Sequence, residues 1–140
     1  MFGCTLSADQ EKSLSDAQRS YVNARNESDV LKFVGYTHPN VIAHYKHMAD
    51  SSFQKKFDLT EDPYLLQDGT IREIKKKDKT IHVLYRFKTV EKGSFGVFGD
   101  DRNIIAISED GGKTWFFVEK EDYLNDTILP EKHQLIELNE

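Results

Sequence analysis

The sequence predicts an α+β fold, in which N-terminal helices pack on one face of an antiparallel sheet. Apolar residues recur every three or four positions up to about residue 57, and they alternate every two positions after about residue 64. A glycine-rich link joins two strand-like runs within residues 104–118, which is typical of a β-hairpin. Helices that precede strands in this way favour an antiparallel sheet covered by helices on one face.

Composition is consistent with one soluble domain. The chain has 140 residues, of which 38% are hydrophobic and 31% charged, and its net charge is −5. A mildly acidic chain lacks the positive surface that nucleic acids require. We expect a flexible segment over residues 1–9, a single domain over residues 10–140, no nucleic-acid partner and no cofactor.

The only cysteine of the chain lies near its start, at Cys4, directly after Gly3. This arrangement resembles the start of a mature bacterial lipoprotein, cut beside its lipid-accepting cysteine. It predicts a cell-envelope or secreted protein that meets a membrane only through a lipid anchor on Cys4. The alternative is a cytoplasmic protein with an unmodified cysteine, and mass spectrometry of the native protein distinguishes the two.

Three helices are expected before residue 58. Ser7 and Gln10 have the spacing of a capping box at the start of the first helix. One apolar stripe then follows at helical spacing and comprises Leu14, Ala17, Tyr21 and Ala24. A second helix is predicted over residues 29–34. The third is predicted to start near Pro39, to present Val41, Tyr45 and Met48 on one face, and to break near Asp50.

Strands are expected after residue 63. Asp68-Gly69 predicts a tight turn between two short strands. A long strand from Thr80 has one apolar face, formed by Ile81, Val83, Tyr85 and Phe87. His82 and Arg86 alternate with that face and are interpreted as exposed. A short strand is predicted over residues 95–98, and a short helical piece is predicted to end at Pro130.

The link within the last hairpin carries a complete local motif. Five residues match every fixed position of the Asp-box, the pattern Ser-x-Asp-x-Gly-x-Thr-Trp: Ser108, Asp110, Gly112, Thr114 and Trp115. The motif is frequent in sialidase-type propellers, but a propeller needs at least four blades of about 40 residues each. We therefore interpret the motif as a structural turn that performs no chemistry.

The order of elements and several local patterns resemble the nuclear transport factor 2-like superfamily, and in particular small uncharacterised envelope proteins of Bacteroidetes-type bacteria. The residues that carry the resemblance are 29–34, 36–41, the long strand from Thr80, 115–118 and the tail with Ile128, Leu129, Pro130 and Leu135. The resemblance implies a cone-like fold, in which a curved antiparallel sheet wraps around a long helix and leaves a pocket at the open end. It implies no single activity, because this fold hosts enzymes, transport adaptors and binding modules.

The candidate ligand pocket is apolar with a few hydroxyl groups, and its candidate residues are Tyr21, Val41, Tyr45, Tyr85 and Phe87. Such a lining suits an uncharged ligand. We predict a non-enzymatic binding domain for a small apolar molecule or a protein partner. The alternative is a small acid-base enzyme, of isomerase or hydro-lyase type, that uses the same pocket.

Apolar residues on both sheet faces, in residues 104–107 and 115–118, predict a homodimer through the sheet, because helices cover only one face. His44, His47 and Asp50 have a spacing that a metal ion can use. A solvated helix face explains the same spacing, and we favour it. No residue is assigned a catalytic role and no metal site is predicted.

Overall fold

The computed structural model describes residues 5–48, 50–62, 64–92 and 99–138. It confirms the α+β class, with helices N-terminal to a four-stranded antiparallel sheet. The helices are α1 (Ala8–Asn26), α2 (Val30–Tyr36), α3 (Pro39–Met48), α4 (Asp50–Lys56) and α5 (Lys120–Tyr123), and a 3-10 turn follows at Glu131–His133. The strands are β1 (Tyr64–Lys77), β2 (Thr80–Glu91), β3 (Arg102–Ser108) and β4 (Phe116–Glu119). Cys4 and the strand predicted over residues 95–98 lie outside the described residues.

Helix α1 begins as the capping box predicts. The Ser7 amide donates to Gln10 Oε1 at 2.9 Å, and the Gln10 amide donates to Ser7 Oγ at 3.2 Å. The ordered fold starts earlier than the predicted boundary at residue 10, because α1 starts at Ala8 and Leu6 is buried. The apolar stripe faces the sheet, and the Tyr21 ring stacks on Phe117 with centroids 4.4 Å apart.

The next helices follow the sequence closely. Asp29 caps α2 instead of forming its first residue, because its carboxylate accepts the Lys32 amide at 3.3 Å. Proline occupies the first position of α3, where its missing N–H costs nothing. The predicted break near Asp50 falls at residue 49, which lies outside the described residues between α3 and α4, and it stays a prediction.

The four strands pair in the order β1-β2-β3-β4, each antiparallel to its neighbour. Val83 pairs with Ala106, and Ala106 pairs with Phe117, so these three residues share one face. This is the face that meets α1 through Tyr21. The alternation read in β2 is confirmed, because the side chains of Ile81, Val83, Tyr85 and Phe87 are all buried.

The predicted turn at Asp68-Gly69 is wrong. Both residues lie inside the continuous strand β1, at a shift in register between Gln67 and Thr70. Asp68 has a φ of 47°, which is the positive φ of a bulge residue. A Cβ on Gly69 would lie 2.3 Å from the Phe87 ring, so glycine lets the strand pass over that ring. The Asp-Gly pair therefore bends a strand and does not reverse it.

The second face of the sheet is covered by the chain itself. Ile105, Ile107 and Val118 share that face, and all three are buried within one copy of the chain. Tyr123 of α5, Ile128 and Ile136 are also buried and belong to the same hydrophobic core. The sequence analysis expected this face to be open, and that expectation is wrong. The homodimer loses this support and stays a prediction, which light scattering at micromolar concentration tests.

His82 lies on this second face and is not exposed as predicted. Only 2% of its surface is accessible, and its Nδ1 lies 2.8 Å from the Tyr123 hydroxyl. That hydroxyl also accepts the Ile136 amide at 3.0 Å. The hydrogen bond between His82 and Tyr123 therefore ties α5 and the C-terminal segment to β2.

The β3–β4 turn is organised by Asp110, as predicted. Its carboxylate accepts the Lys113 amide at 3.0 Å, the Thr114 amide at 2.9 Å and the Thr114 hydroxyl at 2.6 Å, while Ser108 Oγ lies 2.9 Å away. These hydrogen bonds hold the pKa of Asp110 well below its usual range. Gly112 has a φ of 92°, and a Cβ there would lie 2.7 Å from Gln10 Cγ of α1. The turn thus packs on the start of the first helix.

Replacing Asp110 with alanine should lower the free energy of unfolding by about 1 kcal/mol, the usual loss for capping-type hydrogen bonds. Chemical denaturation measures the change. Asp110→Asn is the matched control, because its amide oxygen still accepts the Lys113 and Thr114 amides. Full stability in the alanine variant would show that these hydrogen bonds do not stabilise the turn.

Candidate functional site

A charged cleft of about 520 Å³ opens at one end of the sheet. Four segments form it: the end of α1, the region from α4 to β1, the start of β3, and the end of β4 with α5. The described residues that line it are Arg25, Lys56, Asp58, Leu59, Asp62, Arg102, Asn103, Ile104, Glu119, Lys120 and Glu121. We refer to this set as the charged cleft. Basic and acidic side chains are equally numerous in it, so its charge is close to balanced.

Asp62 is the centre of one half of the cleft. It accepts two hydrogen bonds from Arg102, from Nη1 at 2.6 Å and from Nη2 at 3.1 Å, and a third from Arg25 Nη2. The Tyr64 amide donates at 2.9 Å to Asp62 Oδ1, the oxygen that also accepts Arg102 Nη2. Arg25 is only 8% accessible, so its buried positive charge needs counter-charges. Asp62 supplies one, and Glu119 supplies the other, with an oxygen 3.5 Å from Arg25 Nη1.

Lys56 is the centre of the other half. Its Nζ lies 3.2 Å from Glu119 Oε2 and 2.8 Å from Asp122 Oδ2. Asp122 is buried and accepts the Tyr45 hydroxyl at 2.7 Å. Glu119 contacts both Lys56 and Arg25, so the two halves form one connected ionic network.

The network keeps Asp62 and Glu119 ionised. Burial would raise the pKa of Asp62, but the Arg102 hydrogen bonds, the Tyr64 amide and the Arg25 charge lower it overall. Burial would likewise raise the pKa of Glu119, and the charges of Lys56 and Arg25 lower it. Burial would lower the pKa of Lys56, while Glu119 and Asp122 more than offset this effect and raise it. Neither Asp62 nor Glu119 is therefore suited to release a proton near neutral pH.

The five predicted pocket residues do not line this cleft. Tyr21 and Val41 border a cavity of about 20 Å³ between the helices and the sheet, which has room for about one water molecule. Tyr85 and Phe87 are buried in the core with ring centroids 5.5 Å apart. Tyr45 is half-buried and binds Asp122. In this structure these side chains pack in or against the hydrophobic core, and the charged cleft beside them is lined by charged instead of apolar side chains.

The histidines of α3 stand apart from the cleft. His47 is exposed, and His44 is half-buried with its ring against Tyr45 at 5.0 Å. The side chain of Asp50 lies outside the described residues. Within the part of the chain that the structure describes, no three potential ligands cluster closely enough to hold a metal ion.

The sequence contains one indication of the charged cleft: charged residues stand at positions that periodicity predicts to face the core. Arg25 follows Tyr21 by four residues, so it lies on the core-facing stripe of α1. Glu119 follows Phe117 by two residues and therefore shares its face. Charged residues at buried positions of an apolar stripe need partners. Asp62, which supplies one of those partners, comes from a loop and carries no such signal.

None of the helices among the described residues is long and apolar enough to cross a bilayer. Comparison with protein-family models, with curated proteins and with solved structures finds no match to this chain.

Proposed function

We propose that the chain is a non-enzymatic binding domain that takes a small polar ligand in the charged cleft. The observation that carries the proposal is the cleft itself: about 520 Å³ of space, lined by charged side chains, one of which is the 92%-buried Arg25. Burying an ionic network has a large desolvation cost, and apolar packing is often more stable. A chain that keeps such a network beside an open cleft is expected to use it for recognition.

The enzyme alternative is less well supported by this geometry. A general acid needs a carboxyl group whose pKa is raised towards neutrality, usually in an apolar site. Asp62 and Glu119 have lowered pKa values instead, because cations surround them. Both carboxylates also use their oxygens on arginine and lysine side chains. The carboxylates of the site stay ionised and paired with cations, and such an arrangement suits binding better than proton transfer.

The proposal retains the resemblance to the nuclear transport factor 2-like superfamily and the envelope or secreted location. The helix-first order and the packing of Tyr21 against the sheet support the former. The latter rests on Cys4 and its neighbours in the sequence. A small apolar ligand, as predicted from the sequence, is replaced here by a polar one. The other candidate occupant of the charged cleft is a protein partner that binds at the same end of the sheet.

Binding is tested by thermal unfolding and NMR titration with small polar probes, using Arg102→Leu and a matched control, Arg86→Leu. Arg102 lines the cleft, whereas Arg86 is exposed on β2. A probe at 100 times its Kd should stabilise the parent chain by about 2.7 kcal/mol. This stabilisation should fall in Arg102→Leu and persist in Arg86→Leu. Equal binding by both variants would place the ligand elsewhere and contradict the proposal.

A further inference from the structure

The chain covers the second face of the sheet over β3 and β4 but leaves part of that face open over β1 and β2. Ile105 of β3 and Val118 of β4 are buried on this face and belong to the same core as α5 and the C-terminal segment. Arg86 and Lys88 of β2 are exposed. Both share this face with His82, because every second residue of a strand points to the same side.

The open part of the face carries four cations. The register pairs Lys75 of β1 with His82, so Lys75 and, two residues further on, Lys77 lie on the same face as Arg86 and Lys88. Lys77 is exposed and Lys75 is half-buried. We refer to Lys75, Lys77, Arg86 and Lys88 as the basic strip. At about 3.4 Å per residue, the strip extends over about 27 Å along β2.

The cations of the basic strip form no ion pair with any residue that the structure describes. Other cations of the chain do: Lys12, Lys56 and Arg102 have carboxylate oxygens at 3.0, 2.8 and 2.6 Å. The contrast matters because the chain has 24 acidic residues against 19 lysines and arginines. One acidic residue of β1, Glu73, shares the face of the strip through its pairing with Leu84. The strip is therefore a positive surface on an acidic chain, available to an external anion.

Protection of a sheet edge explains only half of the basic strip. Lysines on an edge strand discourage pairing with another chain, and β1 is an edge of the described sheet. Arg86 and Lys88 protect no edge, because β2 lies between β1 and β3. A second copy of the chain is not the expected partner either. An isologous dimer through the strip would set these cations against one another.

The shape of the surface favours an extended partner over a flat one. The C-terminal segment packs on the same face, and a cleft of about 480 Å³ lies between it and one end of the strip. Lys77 borders this cleft on the side of the sheet, and Leu129 and Lys132 border it on the other side. A planar lipid surface would meet the C-terminal segment before the strip, whereas one extended chain can lie beside it. Asp78 and Glu109 also border the cleft, so an anionic partner is expected on the strip and not deep in the cleft.

We propose that the basic strip binds an acidic polypeptide segment in an extended conformation. Carboxylates along such a segment can reach the cations at both ends of the strip, and the half-buried Leu84 between them offers an apolar contact. Nucleic acid is disfavoured, because four cations on a chain of net charge −5 make few phosphate contacts. No residue of the strip lines the charged cleft, so the proposal is independent of the ligand bound there.

Poly-L-glutamate is the probe, compared with phosphatidylglycerol vesicles and a single-stranded DNA. In amide NMR titrations at low salt, poly-L-glutamate should shift the signals of Lys75, Lys77, Arg86 and Lys88. Its affinity should fall about tenfold or more when sodium chloride is raised from about 50 mM to about 300 mM, because salt screens exposed charges. Tighter binding of the vesicles or of the DNA would overturn the proposal, and so would the absence of poly-L-glutamate binding.

Charge reversal at both ends of the strip, Lys77→Glu with Lys88→Glu, should weaken poly-L-glutamate binding about tenfold or more. The matched control is Lys32→Glu with Lys55→Glu, which changes the net charge equally at exposed positions of α2 and α4 and should weaken binding less than about threefold. Lys77→Gln with Lys88→Gln adds no repulsion and should give an intermediate loss. Circular dichroism should show all three variants folded like the parent chain. Equal losses in the strip variant and the control would mean that net charge alone governs binding, and would overturn the proposal.

Discussion

Replacing Asp62 with alanine is expected to lower the free energy of unfolding by about 3–5 kcal/mol, the typical loss when one partner of a buried ion pair is removed. The change leaves Arg25, which is 8% accessible, with Glu119 as its remaining anionic contact at 3.5 Å. Arg102 loses both of its hydrogen bonds to the carboxylate. Urea denaturation followed by circular dichroism measures the effect.

Two further variants show that the loss comes from the buried charge. Asp62→Asn keeps an oxygen for the Tyr64 amide but removes the negative charge, so it should lose most of the same stability. Asp16→Ala removes the exposed pair between Lys12 and Asp16, and such pairs contribute about 0–1 kcal/mol. A loss below about 1 kcal/mol in Asp62→Ala would mean that the network is not needed for the fold.

Acidification is expected to destabilise the fold through His82. Burial, together with a smaller effect of the nearby His38, lowers the pKa of His82 from an ordinary value of 6.5 to about 4. Because the folded pKa lies below the unfolded one, the unfolded chain binds the proton more tightly. The stability that neutral His82 provides is complete above pH 6.5 and is lost as the pH falls from 6.5 towards 4, by about 3 kcal/mol in total.

The contribution of His82 is separated from those of other groups by comparing variants across this pH window. His38 also has a pKa lowered by burial, and it acts in the same direction. Asp62 and Glu119 have lowered pKa values, so their contribution to the free energy of unfolding is lost only at more acidic pH, where these two carboxylates take up protons. His82→Gln should therefore show a shallower loss between pH 6.5 and 4.5, while His47→Gln, at an exposed position, should match the parent chain. Identical pH profiles for His82→Gln and the parent chain would contradict the expectation.

Local patterns determined much of the secondary structure. The Ser7 and Gln10 spacing located the start of α1 because a capping box satisfies two backbone amides within four residues. Alternation along β2 identified its core face, because side chains of a strand point to opposite sides in turn. The Asp110 turn was predicted for a similar reason, since the hydrogen bonds of the Asp110 carboxylate all lie within Ser108–Thr114.

Only the tertiary structure decided the points that depend on residues distant in sequence. Asp68-Gly69 is a bulge because the Phe87 ring on the neighbouring strand occupies the space over Gly69. His82 is buried beside Tyr123 of α5, whose hydroxyl also binds the Ile136 amide. The ionic network joins Arg25, Asp62 and Arg102 across separations of 37 and 40 residues. Periodicity indicates which face of a helix or strand a side chain occupies, but it does not indicate which residue packs against that face. That partner determines whether a buried charge is tolerated, and therefore what the cleft beside it binds.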